Sequence, residues 1–356
     1  MLCALCFTTS FHILLFTSTR AFANPQASVE QLAAYYSFST STSLPFPSIT
    51  QSTQDAQKLI VRDWSLSKGA IQTNPNNLAF VVDPFLTKPV AIGTTHNIGK
   101  PVLQVTYPQG SYSSETGGSQ FYNLWNTTAG SKFQTMMVSY EVAFDNYFDW
   151  VKGGKLPGLR GSTKSNLGGC SSAKASATND CLSIRLMWRN SGSAEIYGSI
   201  PTSNDLCNRP GVSCASDVTS LHRGSFGFVS GQWNRITLLI RLNDPRNVAN
   251  GNIQVYYNDL LAIDEQGLQL RTNPQVYLNG FYFSTFFGGS DKSWATPNTT
   301  HTYFRNIVLY GSGAASNLTG KEINSTSHSR PIHLATSGLK SVVFLLFFFV
   351  MVVLAV

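Results

Sequence analysis

Two lysines share a short segment with three glycines and a proline, between Lys152 and Leu159. Glycine permits positive φ and the close approach of another group, and proline fixes φ and interrupts strand pairing. We therefore expect a bent, accessible loop that presents Lys152 and Lys155. A lysine whose pKa is lowered by burial or by neighbouring cations can accept a proton. The alternative is a plain surface turn with two solvated lysines.

A second group of reactive side chains lies in the strand-like segment from Cys181 to Arg189. Because side chains alternate between the faces of a strand, one face carries Ser183, Arg185, Met187 and Arg189. The other face is apolar throughout. A few residues later Glu195, Tyr197 and Ser199 share a face in the same way. The alternative for both segments is a solvated outer face of a sheet.

The order of these segments resembles polysaccharide lyase family 14, the group that contains alginate and glucuronan lyases. Four segments carry the resemblance between Val138 and Tyr310: Lys152–Leu159, Ser183–Arg189, Tyr197 and Phe283–Asp291. It points to a fungal-type, secreted member of the family. The resemblance implies a jelly-roll β-sandwich and an enzyme that cleaves a uronic-acid polymer by β-elimination.

Elimination removes the proton beside the sugar carboxylate and expels the glycosidic oxygen at C4, leaving a 4,5-unsaturated uronate end. The resemblance implies that Arg185 neutralises the carboxylate, since a guanidinium matches it bidentately and keeps its charge. It implies that Lys155, or failing that Lys152, is the base. Tyr197 would exchange a proton with the leaving oxygen, and Ser183 would orient the sugar.

Three further residues are predicted to contact substrate: Arg189, Ser199 and Phe287. Ser199 departs from the family, whose members often carry a second tyrosine at this position. The loss of that phenol would alter the choice of substrate, or weaken acid–base catalysis if the second tyrosine held that role. The aromatic run Phe281–Phe287 suggests stacking on a sugar, but such runs are also typical of a hydrophobic core.

The rest of the chain predicts an all-β protein, an antiparallel jelly-roll β-sandwich of one domain. Only 12% of its residues are charged, and glycine and asparagine turns separate short β-branched or aromatic runs. The predicted strands are Ala79–Val82, Val102–Tyr107, Met136–Val151, Leu182–Trp188, Ala194–Ile200, Arg235–Leu242, Gly251–Tyr257, Gly280–Phe287 and Thr302–Leu309. One short helix is expected around Asp55–Asp63. The predicted domain covers residues 54–310, after a Ser/Thr/Pro-rich segment (24–53) and before a polar stalk (311–326).

Both ends of the chain predict export. Residues 1–23 are typical of a signal peptide that ends in the cleavage pattern Ala21-Phe22-Ala23. Residues 327–356 hold a polar spacer and the apolar run Val342–Val356, as in a glycosylphosphatidylinositol (GPI) anchor signal. The alternative is a short membrane anchor. We therefore expect a secreted protein held at the cell surface or wall by a lipid anchor.

Cysteines and glycosylation motifs agree with export. Without the signal peptide four cysteines remain, and their spacing suggests the pairs Cys170–Cys181 and Cys207–Cys214. No C-x-x-C or interspersed histidine accompanies these four, so we expect disulfides and neither a metal site nor a cofactor. The Asn-x-Ser/Thr motifs are at Asn126, Asn298, Asn317 and Asn324.

The net charge of +7 falls to +4 once Arg20, Arg330 and Lys340 leave with the two signals, since 22 basic residues then face 18 acidic ones. This balance favours an anionic partner and, without a basic cluster, argues against nucleic acid. The resemblance implies that the partner is an acidic polysaccharide. We expect a monomer.

Two other functions compete with a lyase. The first is a non-catalytic carbohydrate-binding wall protein on the same fold, which Ser199 supports. The second is a glycoside hydrolase, which needs a carboxylate pair. Glu141, Asp145 and Asp149 share a strand face, but the usual E-x-D-x-E pattern is absent. His96 and His222 fall in no motif, so we interpret both as structural or surface residues.

Overall fold

A computed structural model describes residues 25–88, 99–125, 132–163, 170, 180–215 and 218–323. Several sequence predictions lie outside these residues: the signal peptide, the GPI-anchor signal with Val342–Val356, His96, Asn126 and Asn324. No helix among the described residues is long and apolar enough to cross a membrane.

Strands dominate the described residues, with four short α-helices between them. In chain order the elements are α1 Val29–Tyr35, β1 Thr40–Ser43, α2 Thr53–Asp63, β2 Leu78–Val81, β3 Val102–Tyr107, α3 Ser113–Thr116, β4 Ser119–Leu124, β5 Thr135–Phe144, β6 Gly153–Ser162, β7 Cys181–Arg189, β8 Ala194–Ser199, α4 Asn204–Cys207, β9 Val212–Cys214, β10 Thr219–Leu221, β11 Trp233–Arg241, β12 Val248–Ala249, β13 Gly251–Tyr257, β14 Leu260–Leu268, β15 Tyr277–Phe287, β16 Thr300–Ser312 and β17 Lys321–Glu322.

Two large antiparallel sheets form a jelly-roll sandwich, which confirms the predicted fold. The first sheet has the order β14-β13-β11-β5-β16-β3-β2, with β1 also paired to β16. The second has the order β4-β15-β6-β7-β8-β10-β9. Contacts divide the chain after Lys321 into two units, and both sheets belong to the first.

The core lies between the two sheets, where alternate residues of facing strands meet. The apolar face of β7 is at most 1% exposed and consists of Leu182, Ile184, Leu186 and Trp188. These side chains share one hydrophobic cluster with Val138, Tyr140, Val142 and Phe144 of β5. Because the strand period is two, burying this face turns the other face of β7 outward. The alternation predicted for Cys181–Arg189 is therefore confirmed.

All of the segment from Lys152 to Leu159 except Lys152 belongs to strand β6, so the prediction of a loop was wrong. Strand β5 ends at Phe144 instead of Val151, because positive φ at Tyr147 (59°) and Val151 (47°) turns the chain first. Pro157 fits inside β6 because a bulge separates Leu156 from Gly158 in the pairing with β7. Proline has no amide hydrogen to donate, and a bulge removes the need for one.

The Ser/Thr/Pro-rich segment 24–53 contains α1 and β1. Ser28 caps α1 in a capping box with Gln31, and β1 pairs with β16. The predicted helix around Asp55–Asp63 is confirmed as α2, which begins after the cap Ser52. Strands β4 and β14 were not predicted.

Candidate active site

The outer face of β6, β7, β8 and β15, which we call the site face, brings together most of the predicted catalytic residues. Strand pairing aligns Lys155 of β6 with Met187 of β7, and Met187 with Glu195 of β8. In the next outward-facing row Arg185 pairs with Tyr197. Residues from three strands thus meet because the sheet fixes their register.

Lys155 is a buried lysine with weak partners. It is 9% exposed, and its Nζ lies 3.1 Å from the Met187 Sδ and 2.8 Å from the centre of the Tyr197 ring. A thioether sulfur is a poor acceptor, and a ring face attracts a cation only modestly. No described carboxylate lies within ion-pair distance of this amine. The contacts therefore give an ammonium little compensation for the water it loses.

The electrostatic environment favours the neutral form of Lys155. Burial lowers the pKa of its amine well below the ordinary lysine value, because the charged form loses its hydration. The positive charges of Arg185 and Arg189 lower the pKa further, and Glu195 opposes them. A neutral amine has a lone pair with which to take a proton. This geometry makes Lys155 the base candidate on the site face.

Arg185 is held beside Lys155 with one donor left over. It is 3% exposed, its Nη1 donates to the Ser284 Oγ at 3.2 Å, and its guanidinium carbon lies 4.4 Å from the centre of the Tyr282 ring. Its Nε has no hydrogen-bond partner among the described residues. A guanidinium fixed by a serine and an aromatic ring keeps its charge and its orientation, which suits it to binding a carboxylate.

Gly158 makes the contact between Arg185 and Tyr282 possible. It stands between them in the sheet, paired with Arg185 on one side and with Tyr282 on the other. A Cβ on Gly158 would lie 2.1 Å from the Ile184 backbone oxygen. Without a side chain there, the guanidinium and the phenol ring from the flanking strands meet above the glycine. Close packing of the strands thus explains this glycine, which we had ascribed to a bent loop.

A hydrogen-bond network behind Arg185 was missed from the sequence. The Gln120 Oε1 accepts from the Ser284 Oγ at 3.0 Å and from the Tyr282 hydroxyl at 3.1 Å, while its Nε2 donates to the Tyr122 hydroxyl at 3.1 Å. Gln120 thereby fixes both groups that hold the guanidinium. Alternation from Ser284 identifies Tyr282 on the same face, but Gln120 lies in the unpredicted strand β4.

Glu195 binds the guanidinium of Arg189, a residue that we had predicted to contact substrate. The Glu195 Oε1 accepts from the Arg189 Nε at 2.8 Å, and its Oε2 accepts from the Ser220 Oγ at 2.7 Å and the Arg223 Nε at 2.6 Å. Burial acts to raise the pKa of Glu195, but its hydrogen bonds and the Arg189 charge lower it overall. Arg189 therefore contributes a fixed positive charge, and its guanidinium is engaged by a carboxylate.

The two predicted polar contacts at Ser183 and Ser199 are buried. Ser183 is 0% exposed and its Oγ donates to the Cys170 carbonyl at 2.7 Å; Ser199, paired with Ser183, is 3% exposed. The Ser183 hydroxyl is fully buried and bound to a carbonyl, so its predicted role in orienting the sugar does not fit this conformation. The substrate contact predicted for Ser199 stays a prediction. Both serines lie on the predicted face, but the disulfide-linked Cys170 covers Ser183.

Phe287 belongs to the core and does not contact substrate, so its predicted role was wrong. It is 1% exposed and packs between the sheets against Tyr107, Phe148 and Trp188. The neighbouring Phe286 is half-buried and pairs with Lys155. Alternation with Ser284 places Phe286 on the site face, so the aromatic residue there is one position earlier than predicted.

Lys152 lies apart from this cluster. It is exposed in the turn before β6, and its Nζ donates to the Ser293 Oγ at 2.6 Å. The structure therefore distinguishes the two lysines that the sequence left as alternatives, because only Lys155 is buried beside Arg185.

The residues invoked for other functions lie elsewhere. Glu141 is in the first sheet, where its Oε2 accepts from the Arg305 Nε at 2.6 Å. Asp149 is exposed in the turn after β5. The His222 Nε2 lies 2.6 Å from the Glu265 Oε2. This contact agrees with the interpretation of His222 as a structural residue. Among the described residues no group of three or more His, Cys, Asp or Glu could hold a metal ion.

The two predicted disulfides, Cys170–Cys181 and Cys207–Cys214, are confirmed. Of the glycosylation motifs in the described part of the chain, both asparagines, Asn298 and Asn317, are exposed.

Comparisons with known proteins show the family of this chain. The sequence profile of the family Polysaccharide lyase 14 matches residues 95–307, well over half of the chain. The chain belongs to polysaccharide lyase family 14. A comparison with curated proteins finds no significant match.

Two solved structures illustrate the likeness. The marine PL-14 alginate lyase from Aplysia kurodai is 26% identical to this chain, with a TM-score of 0.58 over 77% of this chain and 99% of that chain. Alginate lyase Aly36B is 18% identical, with a TM-score of 0.54 over 79% of this chain and 98% of that chain. The second likeness, at its low identity, bears on the fold alone.

Proposed function

We propose that this protein cleaves a uronic-acid polymer, of the alginate or glucuronan type, by β-elimination. The observation that carries the proposal is a buried lysine of lowered pKa, Lys155, fixed beside a guanidinium with an unused donor, Arg185. A neutral base next to a permanent cation is what proton removal alpha to a carboxylate requires. The family membership and the likeness to an alginate lyase support the same substrate class.

Arg185 binds the carboxylate of the sugar whose bond breaks. The ionised carboxylate disfavours a carbanion beside it, so neutralising its charge lowers the barrier to proton removal. Ser284 and Tyr282 hold the guanidinium, and Gln120 holds both of them. The cation is therefore oriented before substrate arrives, which avoids reorganisation during the reaction.

Lys155 takes the proton from C5. The electron pair of that C–H bond forms the C4–C5 double bond, and the C4–O bond breaks. Tyr197, whose ring covers the Lys155 amine, donates its phenolic proton to the leaving oxygen. Lys155 then passes the proton it took to the phenolate, directly or through solvent, so the enzyme returns to its starting state. Atoms and charge balance without any cofactor.

The predicted export forms part of the proposal. Two disulfides and two exposed Asn-x-Ser/Thr motifs support an extracellular, oxidising location. We infer a signal peptide at residues 1–23 and a lipid anchor signal at 327–356, which would hold the monomeric lyase domain at the cell surface or wall.

The test is turnover of defined polymers by the secreted protein. Polymannuronate, polyguluronate, polyglucuronate and a neutral β-glucan are incubated with it, and unsaturated uronate ends are followed by their ultraviolet absorbance. We expect a rise with at least one polyuronate and none with the neutral glucan. Binding of every polyuronate without any rise would contradict the proposal and favour the non-catalytic carbohydrate-binding protein.

A further inference from the structure

The exposed Lys152 lies at one end of the site face without a part in the elimination. It directly precedes β6, three residues from Lys155, and at the rise of a strand this spacing is about 10 Å. Its Nζ donates to the Ser293 Oγ and lies 5.9 Å from the centre of the Trp294 ring. A cation, a hydroxyl and an indole thus meet where β6 begins and β15 ends.

Two glycines fix the position of Trp294. A Cβ on Gly289 would lie 2.1 Å from the indole Cδ1 and Cγ, and one on Gly288 would lie 3.3 Å from its six-membered ring. The indole therefore rests directly on the backbone of Gly289, whose φ of 77° also suits glycine. Trp294 remains half-buried, so part of its apolar surface is open to solvent at a fixed place. Fixed aromatic surface loses little conformational entropy when a ligand packs on it.

Asp291 supplies an acceptor in the same group. Its Oδ1 accepts from the Ser293 amide at 2.8 Å and from the Ser293 hydroxyl. Those hydrogen bonds, and then the charge of Lys152, lower the pKa of the Asp291 carboxyl. The group therefore offers a cationic donor, an anionic acceptor and an apolar surface within a few residues. A sugar that carries both a carboxylate and hydroxyl groups matches all three.

We propose that Lys152, Asp291, Ser293 and Trp294 form a subsite for a second uronate unit of the polymer, removed from the bond that breaks. This inference rests on the proposed function. Lys152 donates to the sugar carboxylate, Asp291 accepts from a hydroxyl, and the sugar ring packs on Trp294. The two lysines of the segment then have separate tasks, since Lys155 removes the proton and Lys152 holds the chain.

Two variants test the subsite in different ways. Lys152→Met removes the cation, whereas Gly289→Ala displaces Trp294 and leaves the charge unchanged. Lys58→Met is the matched control, because Lys58 is also exposed but lies on α2 in an ion pair with Asp55. The KM and kcat of each variant are measured with a long polyuronate and with short oligouronates that cannot span both sites.

We expect Lys152→Met and Gly289→Ala to raise the KM for the long polymer about two- to fivefold, the range of an exposed charge contact or an aromatic contact. The kcat at saturation and the KM for short oligouronates should stay at the wild-type value. A KM for the long polymer equal to that of Lys58→Met, with turnover intact, would overturn the subsite and leave the proposed lyase standing.

A binding measurement separates this inference from the proposed function. Retardation of the wild type, Lys152→Met and Lys58→Met is compared in gels that contain polyuronate or a neutral β-glucan. If no polyuronate is cleaved but only Lys152→Met loses retardation by polyuronate, the lyase proposal fails and the subsite stands. If no polyuronate is cleaved and the three proteins migrate alike, both proposals fail.

Discussion

The chemistry of the site depends on keeping one lysine uncharged. Lys155 is buried in strand β6, and its side-chain amine contacts the Met187 thioether and the Tyr197 ring. Burial lowers its pKa first, and Arg185 and Arg189 lower it further. In the proposed mechanism the same arginine neutralises the substrate carboxylate and helps to keep the base neutral, so both roles depend on the position of Arg185.

This linkage predicts the pH dependence of the reaction. The reactive form of Lys155 is deprotonated, so kcat/KM should fall as the pH falls through its lowered pKa. Arg189→Gln removes a positive charge that lowers this pKa, so the acid limb of the profile should move to higher pH. Arg223→Gln is the control, because Arg223 also binds Glu195 but is not among the groups that shift Lys155. If the acid limb of the kcat/KM profile moved equally in the two variants, a direct effect of the Arg189 charge on Lys155 would be contradicted.

At the residue scale, the sequence predicted which side chains could react and which strand face they share. It did not predict which of them are buried. Alternation placed Arg185 and Tyr197 on one face, and the structure agrees. Burial by residues distant in sequence was not predictable, and it decides between Lys155 and Lys152. The same limit explains Ser183, which Cys170 covers, and Phe287, because a one-residue error in strand phase exchanges a core ring for a surface ring.

At the scale of elements, β6 determines the site. It lies between β7 and β15 in the second sheet, so residues from three strands meet along it. Its glycines are needed for close packing, since a Cβ on Gly154 would lie 2.1 Å from the Trp188 ring and one on Gly158 would meet the backbone of β7. The bulge at Pro157 lets the strand continue past a residue that cannot donate.

Gly158→Ala should therefore disrupt both stability and activity. The added methyl group would collide with the Ile184 backbone oxygen and separate Arg185 from Tyr282. We expect a loss of about 1–3 kcal/mol in the free energy of unfolding, as for overpacking, with a fall in kcat/KM. Urea unfolding and turnover provide the two measurements.

Gly198→Ala in β8 is the matched control. The nearest atom to a Cβ there is the Ile200 Cγ2 at 3.5 Å, an ordinary contact. This variant should stay within about 0.5 kcal/mol of the wild type, as for a substitution that meets no clash. If both variants lost the same stability, close strand packing at Gly158 would not be its reason.

Most strands of the sandwich were predictable from the alternation of apolar and polar residues. The errors of that prediction have physical causes. Each predicted strand overlaps an observed one, because core-facing residues repeat with period two. Strand β6 was missed since glycine and proline argue locally for a turn, and only the bulge and the neighbouring strands make a strand of it. Helix α1 was missed because it is short and depends on its N-terminal cap, and β1 because its polar sequence is stabilised by pairing with β16.

At the scale of the whole molecule, the two sheets have different outer faces. The first sheet buries an ion network there, in which the Arg305 Nη1 donates to Asp83 and its Nε donates to Glu141, both at 2.6 Å. Paired buried charges of this kind are satisfied within the protein. The second sheet instead carries a guanidinium with an unused donor and a lysine without a carboxylate partner among the described residues. This charge pattern supports the proposal that the polymer binds on the second sheet.

Export of the whole protein predicts glycans at its exposed motifs. Asn298 and Asn317 are both accessible, so protein secreted from a eukaryotic host should carry sugar at each. Asn298→Gln and Asn317→Gln should each lower the mass of the secreted protein by one glycan, as measured by mass spectrometry. Removing the glycans enzymatically should bring the wild type and both variants to the masses of their polypeptides. Unmodified asparagines at both motifs would contradict an exported protein.

The most direct test of the account is the turnover number of Lys155→Ala beside that of Lys152→Met on the polyuronate that the wild type cleaves. Because proton removal by a positioned base contributes about 10²–10⁴-fold, Lys155→Ala should lose at least that lower factor in kcat. Lys152→Met should keep the wild-type kcat. A Lys155→Ala protein that still forms unsaturated ends at the wild-type rate would contradict the assignment of Lys155 as the base.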